Sequence, residues 1–179
     1  MNTPYKYVIL STPRSMSYWL AEFLGFDHDA STTYKDGKWE QKSEGLVDTG
    51  IYLNEEMMSS MTDENTKFGS LRRSTKSLAW SYQKNFWLTE YQSRLLSLEQ
   101  NATLERAAWL RLDGQRSIFR SDYPILPSSL RKITKELGFK WDEEKVKKSL
   151  DERLDKLDDP AYRSQCLEML GQIFNLPQQ

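Results

Sequence analysis

The sequence predicts an α/β fold with a small central parallel sheet and a helical C-terminal part. Three observations point there. Short apolar runs, partly β-branched, alternate with helix-period segments through the first two thirds of the chain. Helix patterns alone fill the last third. The first apolar run passes through a tight proline-containing turn into an amphipathic helix, as at the βα junction of a parallel sheet. The length of 179 residues suits one compact domain, expected over 1–179.

Tyr5 to Leu10 reads as a buried strand ended by Ser11-Thr12-Pro13. Ser17 to Leu24 reads as a helix with Trp19, Leu20, Phe23 and Leu24 on one face and Gly25 as its stop. Residues 26 to 45 are polar and rich in Gly, Ser and Thr, which predicts mostly loop. Gly45 to Gly50 predicts a short strand ending in a turn, Ile51 to Met61 a helix, and Thr66 to Arg72 another strand. A helical pattern runs from Ser74 to about Leu98, with Leu78, Tyr82, Phe86 and Leu95 on its apolar face, and a second covers Thr103 to Leu112. The aromatic stripe from Trp80 to Tyr91 reads as core before it reads as a ligand pocket. Arg116 to Arg120 reads as a strand. Pro127 starts a helix carrying Leu130, Ile133 and Leu137, closed by Gly138. Asp142 caps a helix with Val146, Leu150 and Leu154, and Asp159-Pro160 opens a last one with Cys166, Leu170, Ile173 and Phe174 on its inner face.

Composition narrows the function. Charged residues make up 28 % of the chain, yet the net charge is −1, so nothing favours duplex nucleic acid or an anionic membrane as partner. Any anion site must be local. The one cysteine, Cys166, allows no internal disulfide and suits a reducing compartment. No secretory leader pattern and no membrane-length apolar run occurs, so a cytoplasmic location is expected. One His and one Cys make no familiar zinc site, so no metal is expected.

The chemistry concentrates in Ser11-Thr12-Pro13-Arg14-Ser15-Met16-Ser17-Tyr18. A strand feeding a turn into a helix presents unpaired N–H groups and the positive end of the helix dipole to an anion. Arg14 adds a fork that grips two phosphate oxygens, and Ser15, Ser17 and Tyr18 add hydroxyls. The plain alternative is a turn whose Ser and Arg only cap and solvate. Neither G-x-x-x-x-G-K-[ST] nor G-x-G-x-x-G is present, which argues against a small-molecule kinase using the Walker device and against a dinucleotide fold.

The run Tyr7-Val8-Ile9-Leu10-Ser11-Thr12-Pro13-Arg14-Ser15-Met16-Ser17-Tyr18-Trp19-Leu20 resembles the 5′-phosphosulfate loop of sulfotransferases, which reads Pro-(Lys/Arg)-Ser-Gly-(Ser/Thr)-Thr-Trp-Leu after a strand. Arg14, Ser15, Ser17 and Trp19 fall on matching positions. Met16 stands where that family usually has Gly, and Tyr18 where it has Thr. The family also holds a 3′-phosphate with an Arg at a strand end and a Ser eight residues on. Arg73 and Ser81 match that spacing, with Arg72 as the alternative if the strand ends sooner. Ser117 to Pro124 and the helix leading to Leu137-Gly138 resemble later parts of the family in outline. Its Gly-rich, Lys-containing C-terminal loop is not visible, and the chain is short for the family.

The resemblance implies a P-loop-like three-layer sandwich that binds 3′-phosphoadenosine 5′-phosphosulfate as co-substrate and transfers its sulfuryl group to an acceptor hydroxyl or amine. Pro13, Arg14, Ser15, Met16, Ser17 and Tyr18 would hold the 5′ end, and Arg73 and Ser81 the 3′-phosphate. Arg14 would stabilise the leaving oxygens. His28, Asp29 or Asp48 would serve as base, with Glu40 and Glu44 as lesser candidates. For His28 the plain reading is a solvated loop residue, and for Asp48 a strand-ending Asx turn. A non-catalytic nucleotide- or partner-binding protein on the same fold is the alternative. Acceptor and oligomeric state are not written in the sequence.

Overall fold

A computed structural model describes residues 2–12, 15–111, 117–122, 125 and 127–149. Pro13, Arg14 and the helix expected after Asp159 lie outside them. Contacts divide the chain into two compact units, Met1–Phe139 and Lys140–Gln179.

The first unit is built on five parallel strands: β1 Tyr7–Ser11, β2 Asp27–His28, β3 Gly45–Asp48, β4 Lys67–Arg72 and β5 Ser117–Asp122. Their order across the sheet is β2-β3-β1-β4-β5. The chain steps from β1 to one side of it, then returns past β1 to the other side. β1 is therefore the switch point, where ligands bind beyond the carboxyl ends of the strands. All five residues of β1 are buried. Val8 and Leu10 join Leu46, Phe68, Tyr52, Met58, Met61 and Leu104 in the main core. Tyr7 and Ile9, on the opposite pleat, are buried too, and Tyr7 stacks on Phe26, so both faces of the sheet are covered.

The helix α1, Ser17–Leu24, follows β1 as expected and stops at Gly25 with φ 71°. It packs on β2 and β3. The stretch expected to be loop differs: Asp27–His28 adds the edge strand β2, and a 3₁₀ turn follows at Ala30–Thr33. Two residues carry too little periodicity to be read as a strand, and only pairing with Leu46 and Val47 makes them one. The helix expected over Ile51 to Met61 is split. A 3₁₀ turn covers Ile51–Leu53, and Asn54 then caps α2, Glu55–Met61, by accepting from the N–H groups of Glu56 and Met57. Gly69, inside β4, marks a register irregularity against β5.

The pattern expected from Ser74 to Leu98 breaks as well. α3 is Thr75–Phe86 and ends on Trp87, which takes φ 53°. α4 then runs unbroken over Glu90–Arg111, absorbing both the end of that pattern and the helix expected from Thr103. It packs on β4 and β1. α5, Pro127–Glu136, packs on β5 and closes with Gly138 at φ 76°. In the second unit, Asp142 caps a helix over 143–149 through its Oδ1 and the Lys145 N–H, as expected. Among the described residues no helix is long and apolar enough to cross a membrane.

Candidate functional site

Because the strands are parallel, five chain segments leave the sheet at one edge: the loop after β1, His28-Asp29, Asp48-Thr49, Arg73 and the end of β5. Strand β1 lies between β3 and β4, and residues that flank the loop after it are tied to the end of β4 on one side and to β2 on the other.

On the β4 side the tie is Thr12. Its N–H donates to the Leu71 carbonyl at 3.1 Å, and its Oγ1 accepts from the Arg73 N–H at 2.9 Å and meets Ser15 Oγ at 2.6 Å. Thr12 and Ser15 are fully buried, and Arg73 is nine-tenths buried. The Arg73 Nε donates to Ser77 Oγ at 2.7 Å in the first turn of α3, and Ser74 caps that helix. Ser81 lies one turn beyond Ser77 and is buried. Arg72 instead reaches Glu105 on α4 at 2.9 Å. Arg73 is joined to the β1 loop through its main-chain N–H. Burial pushes the nearby Tyr82 hydroxyl up to about 12. Its hydroxyl donates to Gln100, and the Arg73 charge acts on it in the opposite direction.

On the β2 side the tie is Ser17, the first residue of α1. Its Oγ lies 3.1 Å from His28 Nε2. His28 Nδ1 lies 3.4 Å from Asp29 Oδ2. The other Asp29 oxygen accepts from the Thr49 N–H at 2.8 Å and the Thr49 hydroxyl at 2.9 Å, which anchors the carboxylate to the end of β3. Asp29 holds φ 49°, a left-handed conformation that Asp tolerates better than most residues. Burial raises its pKa, partly offset by the His28 charge and the Thr49 bonds. Tyr18 is exposed and sets its ring edge-on to the imidazole, centroids 5.4 Å apart.

Asp48 is occupied otherwise. Oδ1 accepts from Ser31 Oγ and from the N–H groups of Gly50 and Ile51, and Oδ2 accepts from the Ser31 N–H. Oδ1 thus takes three donors and Oδ2 one, and Asp48 is fully buried. Met16, at the N-cap of α1, takes φ 68°, makes no side-chain cap bond, and no acid stands in the first turn. The position where a glycine is usual thus has the backbone that glycine favours. Met16 Sδ accepts from the Ile125 N–H at 3.4 Å.

Of the residues singled out from the sequence, Ser15 and Arg73 meet through Thr12, and Ser17, His28 and Asp29 form one chain. Pro13 and Arg14 lie outside the described residues. Ser77 was missed, and Thr12 was named within the loop with no role of its own. Ser77 stands four residues after Arg73 and four before Ser81, a helical spacing that places it on their face. Thr12 carried no such signal, since only the β1–β4 pairing brings it to Arg73.

No known family profile matches the sequence, and no curated protein matches it. A solved structure does. Mouse sulfotransferase SULT7A1 complexed with PAP superposes with a TM-score of 0.51 at 15 % identity, over 83 % of this chain. The chain has a sulfotransferase-like α/β fold. It spans 63 % of the length of that neighbour. Among the described residues no group of three or more His, Cys, Asp or Glu side chains is placed to hold a metal ion.

Proposed function

We propose that the chain binds 3′-phosphoadenosine 5′-phosphosulfate and transfers its sulfuryl group to an acceptor hydroxyl or amine. The observation that carries this reading is the Thr12 clasp. It fastens the helix-N-terminal loop to Arg73, so two anion-binding elements share one sheet edge. Two such elements suit a nucleotide phosphorylated at both ends. The 5′ end is assigned to Arg14, Ser15, Ser17, Tyr18 and the backbone of Pro13 and Met16. The 3′-phosphate is assigned to Arg73 and Ser81, joined by Ser77.

In the reaction the acceptor oxygen or nitrogen attacks sulfur and forms the new bond. The bridging S–O bond breaks, and 3′-phosphoadenosine 5′-phosphate leaves with the bridging oxygen. Arg14 and the α1 N–H groups stabilise the charge on that oxygen. The acceptor proton goes to His28 Nε2, with Asp29 holding Nδ1–H. Asp48 shapes the turn that positions Ser31 and Thr49, and we assign it no proton. The one cysteine suits a cytoplasmic setting.

Calorimetry with 3′-phosphoadenosine 5′-phosphate and a sulfuryl-transfer assay over an acceptor panel test this. Binding is expected, weakened in Arg14→Ala and Arg73→Ala. Turnover is expected to fall about 10²- to 10⁴-fold in His28→Ala. Absence of binding together with unchanged behaviour of both arginine variants would sink the reading. The second reading is a binding protein without turnover. It is favoured by Met16, whose side chain occupies the loop position usually left to glycine. Nucleotide binding with no sulfuryl consumed would decide for it.

A further inference from the structure

Ser17 stands in two places at once. It is the first residue of the helix whose N-terminus faces the proposed 5′ site, and its hydroxyl touches His28 Nε2 at 3.1 Å. A serine hydroxyl has one proton to donate. The Asp29 carboxylate, with Oδ2 3.4 Å from Nδ1, favours the neutral tautomer that carries its proton on Nδ1. Nε2 is then a lone pair that requires the Ser17 proton. A phosphate oxygen at the loop requires the same proton. Neutral His28 and a bound anion therefore compete for it.

Protonation of His28 removes the conflict. Nε2–H then donates to Ser17 Oγ, and the Ser17 hydroxyl donates to the anion. Building on the nucleotide-binding reading above, we propose that Ser17 is a positioning residue that links occupation of the donor site to the basicity of His28. Donor binding makes His28 a stronger base when a base is needed, and protonated His28 makes the loop bind its anion more tightly. The two effects are equal in size, because linkage is reciprocal. Neighbouring charges do not duplicate this chain. Asp29, on the same segment, is pinned by Thr49, and the Tyr18 ring from α1 stands nearly perpendicular to the imidazole. Asp48 from β3 is closed into its own turn. Asp27 is turned toward Tyr5, which donates to its Oδ2 at 2.8 Å. His28 has side-chain exposure of 24 %, so an acceptor group can reach it.

His28 is the only histidine, so one imidazole signal set in nitrogen-resolved NMR reports it without assignment. In the protein without nucleotide, the Nδ1–H tautomer is expected at neutral pH. On saturation with 3′-phosphoadenosine 5′-phosphate the titration midpoint should rise by about one pH unit. By linkage the affinity should rise about tenfold as pH falls through it. In Ser17→Ala most of that rise should vanish, and Ser17→Thr should restore it. An equal rise in wild type and Ser17→Ala overturns the link, since the nucleotide's charge then acts through space alone. The Nε2–H tautomer in wild type overturns it without need of any variant. If calorimetry finds no nucleotide binding to wild type, the binding reading itself fails.

Discussion

At Thr12 a single hydroxyl accepts the Arg73 N–H and meets Ser15 Oγ, all of it shielded from water. Thr12→Val keeps the shape and strands a buried donor. It should cost about 1–3 kcal/mol in denaturant unfolding, with a larger proportional loss of nucleotide affinity than of stability. Met16 offers a cleaner backbone test. At φ 68°, Met16→Gly and Met16→Ala both lose the Sδ contact with Ile125, and only the alanine keeps a Cβ in a left-handed conformation. The glycine variant should be the more stable by about 1 kcal/mol in thermal melts, the reverse of the usual helix order. Ser15, Ser17 and Arg73 were legible through the resemblance to sulfotransferase phosphate-binding segments, and His28 and Asp29 through their place just after the first helix. The sequence assigned Thr12 no role beyond membership of the loop, because that role exists only once β1 and β4 are paired. Nor did it separate His28 from Asp48 as base, because both follow apolar runs. In the structure the two differ: Asp48 is fully buried and accepts four hydrogen bonds, and His28 is partly exposed.

Elements with their own punctuation were legible. Gly25 and Gly138 stop α1 and α5 where the sequence ends them, and both take positive φ. Elements without such punctuation were not. The α3–α4 break falls at Trp87, a residue with no turn preference, in φ 53° and 92 % exposed. Its side chain has almost no burial to lose there. Trp87→Gly should therefore stabilise the protein by about 1 kcal/mol, read as a higher midpoint in denaturant. The β2 strand was illegible for a different reason. Asp27 and His28 are a strand only through β3, and tertiary pairing overrides local propensity in so short a segment. That strand matters, because it carries His28 to the edge where Ser17 begins α1.

Across the whole molecule, function and stability meet at Asp29. Burial holds its folded pKa above the ordinary carboxylate value, so the folded state binds more protons than the unfolded one in that window. The contribution of Asp29 to stability is therefore fully present at low pH and is lost as pH rises through its raised folded pKa. The stability difference between wild type and Asp29→Asn should decline with pH across that window, at no more than about 1.4 kcal/mol per pH unit. A difference that grows with pH instead would mean that the His28 contact outweighs burial. The parallel sheet gathers the two proposed anion elements at its β1 switch point, and the proposed function needs both. The most direct test compares 3′-phosphoadenosine 5′-phosphate with adenosine 5′-phosphate by calorimetry, on wild type and Arg73→Ala. One buried, charge-assisted contact predicts that the 3′-phosphate strengthens binding to wild type about ten- to a hundredfold. Arg73→Ala should erase that advantage and leave adenosine 5′-phosphate unaffected. Equal affinity of wild type for the two nucleotides, or an advantage that survives in Arg73→Ala, would contradict the two-site account.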